Sequence, residues 1–260
     1  MDIVLLGTGT SQGVPVISCK CKVCSSQDPR DKRLRTSAMV TTDAGENILL
    51  DIGPDFREQM LRERVMHLEG ILVTHAHRDH VAGLDDIRAF NYVQNAWMNL
   101  YANHLALDII RRDYGYMFSS HPYPGLPQVT LHEVQSPFKI GTQEVIPIKA
   151  MHKDMPILGY RLGPLVYITD ANYIEDKELN KVKGCKLLVL NALRFEKHFS
   201  HYCVPEALEI IRQVAPDQAI LTHASHDIGL YEDLEKMLPE NVRFGYDGMK
   251  IHIGESVEFV

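Results

Sequence analysis

Four metal-competent side chains, His75, His77, Asp79 and His80, fall within six residues of the stretch Thr74-His75-Ala76-His77-Arg78-Asp79-His80. Three imidazoles and a carboxylate confined this closely repel one another when the imidazoles are protonated, and they lose solvation when buried. A divalent cation removes both penalties. The stretch follows the apolar run Ile71-Leu72-Val73. In extended backbone His75 and His77 point to one side, and Asp79 and His80 come round on the turn that follows, so two adjacent cation sites are half built. A second set is Cys19, Cys21 and Cys24, three of the five cysteines within six residues, whereas Cys185 and Cys203 stand alone. In a reducing compartment such a cluster reads as a metal site rather than a disulfide framework.

These side chains need elements to hold them. Short apolar runs rich in β-branched residues read as buried strands at Ile3–Leu6, Ala38–Thr42, Ile48–Asp51 and Ile71–Thr74. The theme returns at Glu144–Ala150, Leu165–Thr169, Lys186–Leu190 and Gln218–Thr222, with helical patterns at Asp176–Val182 and Pro205–Val214. The second helix opens on Pro205, favoured in a first turn, and stops before Pro216. Strands and helices alternate twice over, which predicts an α/β sandwich of two sheets with helices outside. Residues 89–128 are richer in aromatics, with Trp97, five tyrosines and the run Pro122-Tyr123-Pro124-Gly125. They read as a helical and loop insertion projecting from the core, either packing its aromatics against the sheet or lying over the site as a lid.

The pattern H-x-H-x-D-H after an apolar strand resembles the signature of the metallo-β-lactamase superfamily, and having both Asp79 and His80 resembles its two-metal members. The resemblance implies an αββα sandwich of two mixed sheets over residues 1–260. It also implies further ligands at later strand ends: His152 after Ile148-Lys149-Ala150-Met151, Asp170 after Val166-Tyr167-Ile168-Thr169, and His223 after Ile220-Leu221-Thr222. One metal would be held by His75, His77 and His152, a second by Asp79, His80 and His223, with Asp170 between them. Asp51 in Leu49-Leu50-Asp51-Ile52-Gly53 would orient a ligand without being one.

Four further motifs are similar to the PhnP-type cyclic phosphodiesterases. They are Gly7-Thr8-Gly9-Thr10-Ser11-Gln12-Gly13-Val14-Pro15, the cysteine cluster, Thr222-His223-Ala224-Ser225-His226, and Phe244-Gly245-Tyr246-Asp247-Gly248-Met249. In that group the three cysteines and a histidine bind a structural zinc, which makes His226 the fourth ligand here; three thiolates and an imidazole complete a closed tetrahedral site. Similar phosphodiesterases also place a histidine that contacts the scissile phosphate or protonates the leaving oxygen. His201 takes that role in Phe199-Ser200-His201-Tyr202-Cys203, with His198 as competitor.

The expected cofactors are therefore two catalytic divalent ions, zinc or manganese, and one structural zinc. The expected chemistry is opening of a small phosphodiester by a metal-bridged hydroxide, with Asp79 in the catalytic set and His201 as acid. The resemblance points to a ribosyl cyclic phosphate. Alternatives on the same metals are a ribonuclease Z-like nuclease and a thioester or lactone hydrolase; a zinc-binding interaction module would leave seven ligands without a purpose. With 27 basic and 34 acidic residues the net charge is -7, so no stable nucleic-acid complex is expected and the partner is a small phosphorylated substrate. No apolar stretch is long enough for a signal or a membrane span, and a cytoplasmic location is the expectation. Similar phosphodiesterases are dimeric, so a homodimer is allowed for.

Overall fold

The computed structural model describes residues 1–119 and 125–260. The first sheet contains β1 (Asp2–Gly7), β2 (Ser37–Thr41), β3 (Asn47–Leu50), β4 (Gly70–Leu72), β5 (Met98–Ala102) and β6 (Val129–Glu133). The second contains β7 (Phe138–Ile140), β8 (Gln143–His152), β9 (Met155–Leu162), β10 (Leu165–Ile168), β11 (Leu187–Asn191), β12 (Gln218–Thr222) and β13 (Val242–Phe244). The chain ends by returning to the first sheet with β14 (Lys250–Ile253) and β15 (Val257–Phe259). The strand orders are β15-β14-β1-β2-β3-β4-β5-β6 and β13-β12-β11-β10-β9-β8-β7.

Each sheet is half hairpin and half parallel. β1, β2 and β3 pair antiparallel and β3 to β6 parallel, while β7 to β10 pair antiparallel and β10 to β13 parallel. Parallel strands need both faces covered, and the sequence supplies this by alternation. In β11, Leu187 and Val189 face the layer between the sheets, and Leu188 and Leu190 face the outer layer with helices Asp176–Val182 and Val204–Val214. In β3, Ile48 and Leu50 face inward, and Leu49 faces helix Phe56–Glu63. The result is the expected αββα sandwich. Fully burying a leucine or valine contributes about 1.5–3 kcal/mol, so these inner strands are held firmly whatever their ends must do.

The expectation for residues 89–128 is corrected. Met98–Ala102 is not part of a projection: β5 is an inner strand of the first sheet, paired with β4 and β6. Helix His104–Asp113 packs Ala106, Leu107 and Ile110 into the core layer against it. The alternation of β5 is short and carries Asn99 and Tyr101 at half-buried positions, which hid it among the aromatics. Phe90 and Tyr114 do fill the core, while Tyr92 and Trp97 are exposed. The Pro122-Tyr123-Pro124 run falls outside the described residues. Among the described residues, no helix is long and apolar enough to cross a membrane.

Candidate metal centre

The donors of the histidine-aspartate set lie at or just beyond strand ends, Asp79 and His80 on the short helix Arg78–Val81 that follows β4, at the carboxyl edge of the parallel halves. Four strand ends there are followed by a non-glycine residue in left-handed backbone: Asp51 (φ 61°), Lys153 (φ 55°), Asp170 (φ 61°) and His223 (φ 59°). Aspartate and histidine tolerate this region better than most residues, though it costs roughly 1–2 kcal/mol each. The inner strands' burial exceeds that cost, and the sharp turn places each side chain over the end of its own sheet. Gly53 serves the same edge, since a Cβ there would lie 2.2 Å from the Asp79 carbonyl oxygen, where the histidine-rich turn crosses. The two sheets are tied together beside the centre by Leu158 N–H donating to Thr74 O at 3.0 Å and Tyr160 O–H donating to Val73 O at 2.7 Å.

Two four-donor groups result: His75, His77, His152 and Asp170, and Asp79, His80, Asp170 and His223, each with its donor atoms within 4.8 Å of one another. They share Asp170, whose Oδ2 lies 3.5 Å from His75 Nε2 and 3.2 Å from His80 Nε2, and whose Oδ1 lies 2.9 Å from His223 Nδ1. Buried His75 Nε2, His80 Nε2 and His223 Nδ1 have no hydrogen-bond partner; the last is close to Asp170 but off the line a hydrogen bond needs. An orphaned buried polar atom costs about 1–3 kcal/mol, so three of them converging on one carboxylate fit a cation far better than they fit one another.

Two of the remaining ring nitrogens are occupied from behind. His80 Nδ1 lies 2.7 Å from Asp51 Oδ2, and His152 Nδ1 lies 2.8 Å from Ser200 O. Asp51 in turn accepts from Thr74 N–H at 2.8 Å and from the Thr74 hydroxyl at 2.9 Å. These contacts turn Nε2 of both histidines toward the centre.

The charges are in conflict without a cation. Burial pushes the His75 imidazole well below its ordinary value, and His77 is lowered mainly by burial too. Burial also opposes charge on His80, yet Asp170, Asp51 and Asp79 hold it well above the ordinary value. Burial would raise Asp170, but His223 and His80 hold its carboxyl well below the usual range. Burial alone keeps Asp51 raised.

The cysteine group assembles as a second site. Cys19 Sγ and Cys21 Sγ each lie 3.4 Å from His226 Nδ1, and the four donors, Cys24 included, are mutually within 4.8 Å. Val16 N–H donates to Cys24 Sγ and Cys24 N–H to Cys21 Sγ. The Cys24 backbone N–H and His226 lower the Cys21 thiol to about 6, whereas burial pushes Cys24 up to about 11. The glycine-rich stretch after β1 and the stretch after β13 meet beside it: Asp247 accepts from Thr8 N–H (2.9 Å), the Thr8 hydroxyl (2.8 Å) and Leu34 N–H (2.7 Å).

His201 belongs to neither donor group but faces both. Its Nε2 lies 3.6 Å from Asp170 Oδ2, and its ring stacks on His223 with centroids 5.0 Å apart. His198 stands behind it, ring centroids 5.2 Å apart. Thr74, Gly53 and Ser200 all lie inside the motifs around His75, Asp51 and His201, but nothing in the sequence pattern declares the parts they take in the site.

Comparison with known proteins agrees with this architecture. The sequence profile described as "Beta-lactamase superfamily domain" matches residues 46–224. A protein of Porphyromonas gingivalis named Octanoyltransferase is 42% identical over 258 residues, 98% of this chain but 52% of that protein. Coenzyme PQQ synthesis protein B of Methylobacterium nodulans is 28% identical over 170 residues, 56% of each chain. The chain thus spans about half the length of these curated relatives. A crystal structure described as a new diphosphatase from the PhnP family is 35% identical, covers 99% of both chains and superposes with a TM-score of 0.91. The short form of human tRNase Z, at 19% identity and a TM-score of 0.72 over 98% of this chain and 100% of that one, shares the fold.

Proposed function

The chain belongs to the β-lactamase superfamily and has the metallo-β-lactamase fold, and on that premise we propose that it is a metal-dependent phosphodiesterase acting on a small phosphorylated substrate. The carrying observation is that two four-donor groups share Asp170 while an imidazole outside both groups, His201, faces the same carboxylate at 3.6 Å. His75, His77 and His152 would hold one divalent ion and Asp79, His80 and His223 the other, with Asp170 common to both; zinc and manganese both suit these donors. When bound, such a pair acidifies water and offsets charge on the phosphoryl oxygens.

The protein's own groups do the rest. Asp51 and the Ser200 carbonyl keep His80 and His152 turned inward. His201 gives a proton from Nε2 to the departing oxygen, which an alkoxide needs and a phenolate does not. A ring phosphodiester, the ribosyl cyclic phosphate included, would open to a monoester. Cys19, Cys21, Cys24 and His226 would hold a structural zinc.

Two other readings each have one observation behind them. The PhnP-family structure described as a diphosphatase favours a phosphoanhydride, and the name of the P. gingivalis relative favours an octanoyl group as substrate. Turnover by zinc- or manganese-reconstituted protein on a cyclic phosphodiester, a linear phosphodiester, a diphosphate, a lactone and an octanoyl thioester decides among them. Fastest kcat/KM on a phosphodiester is expected; a faster thioester or lactone rate would overturn the phosphoryl assignment.

A further inference from the structure

His201 is gripped from behind by side chains that neither donor group uses. The buried Ser200 Oγ lies 3.0 Å from His201 Nδ1 and 3.2 Å from His198 Nδ1, and the two ring nitrogens are 3.3 Å apart. The Ser200 backbone N–H also donates to His198 Nδ1, at 3.4 Å. A ring nitrogen that accepts an N–H must carry its lone pair, so the His198 proton sits on Nε2. The Ser200 hydroxyl has a single hydrogen. Donating it to His198 Nδ1 leaves its oxygen to accept from His201 Nδ1–H, and the three groups then form a chain with one direction. His201 Nε2 is left facing Asp170, and its ring is wedged between His223 and an edge-on His152 with centroids 4.6 Å apart.

We propose that Ser200 and His198 are positioning residues for His201: the chain Nδ1–H to Oγ–H to Nδ1 fixes one tautomer of that ring and aims Nε2 into the metal centre. Any proton His201 exchanges with substrate then moves at Nε2 alone, as it does wherever a third group orients a catalytic base. Burial holds the His198 imidazole below its ordinary value, which keeps the terminal acceptor neutral. The proposal rests on the reading that His201 acts on substrate.

The test uses zinc-loaded protein. His198→Ala and Ser200→Ala are expected to lower kcat about tenfold for a phosphodiester with an alkoxide leaving group, the scale of losing a supporting partner, with KM and metal content unchanged. Ser200→Ala keeps the carbonyl that His152 needs, so metal loss does not confuse the result. His198→Asn restores most of the rate, because its amide oxygen takes the place of Nδ1. In a His201→Ala background, His198→Ala should cost less than about twofold, the signature of two residues acting as one. An equal cost in both backgrounds overturns the proposal. If wild-type protein turns over no phosphoester, the functional reading has failed, and imidazole 15N shifts still judge the positioning. The expectation is a His201 ring protonated at Nδ1 in wild type, whether neutral or cationic, and a mixture of neutral tautomers in His198→Ala; a neutral wild-type His201 protonated at Nε2 and bare at Nδ1 refutes it.

Discussion

The two candidate metal centres hang from one strand end, three residues apart at His223 and His226, yet they are built on opposite plans. In the first, His75, His80, Asp170 and His223 are at most 2% exposed, and their donors come from strand ends of both sheets. In the second, Cys19, Cys21 and His226 are half-exposed, and their donors join a loop near the N-terminus to a short turn 207 residues away from Cys19. The first has a scaffold that stands without it and orphaned nitrogens that call for a cation. The second has little beneath it but the small apolar patch of Val14, Val23 and Cys24. On the proposed function, one centre is held by the fold for chemistry, while the other holds part of the fold.

Substitutions should separate the two plans, and Asp170→Ala should do so most sharply. Because it serves both donor groups, its loss should reduce dinuclear occupancy and lower phosphodiesterase kcat roughly 10⁴-fold or more, with the circular dichroism of the fold retained. Unchanged metal stoichiometry together with an unchanged rate would remove the shared carboxylate from the comparison. His201→Ala comes next. Both metals should stay, with a loss of roughly 10² to 10⁴ on an alkoxide leaving group and a much smaller one on a nitrophenolate. Equal losses on both substrates would retire His201 as the acid.

Asp51→Asn touches the centre only through His80 and Thr74. It should weaken one metal about 10- to 100-fold in affinity, measured by competition with a chelator, and an unaltered affinity would show that the orientation of His80 needs no help. Cys21→Ser tests the other plan. It should remove one zinc and lower Tm by roughly 5 °C, which corresponds to about 2 kcal/mol in a chain of this size, with kcat nearly unchanged. If activity falls as far as it does for Asp170→Ala, the division of labour is wrong.

The smallest effect is one of pH. Zinc at the cysteine site competes with protons for the thiolates, and the Cys21 thiol sits at about 6. In the metal-free site its thiolate is present above that pH and lost below it, so apparent zinc affinity, measured by competition with a chromogenic chelator, should fall more steeply once pH drops below about 6. An affinity that is flat from pH 8 to 5 would exclude a Cys21 ligand.

Much of this was legible because the chemistry is concentrated at strand ends. His75, His77, Asp79 and His80 announce themselves by crowding, and each later donor follows a run apolar enough to be a buried parallel strand. Their assembly around Asp170 depends on left-handed turns at Asp170 and His223, which no spacing in the sequence declares. Strand β9 is not declared by periodicity because Pro156 and Gly159 interrupt its pattern. β5 was lost among aromatics. The Ser200 chain could not be read at all, since it exists only through the folding back of residues 198–201 on themselves.

The left-handed backbone at Asp51, Asp170 and His223 also bears on how this protein would respond to selection. Each position would be more comfortable as glycine or asparagine, and at Asp51, whose carboxyl burial raises, such a change also removes a buried acid, whereas at Asp170 it takes away the carboxylate that His80 and His223 face. A screen for thermal tolerance run without metal should therefore enrich replacements at Asp51 and His223 and return sturdier proteins that turn nothing over. The same screen run with zinc in the medium should keep all three, because the ion then repays what the backbone costs.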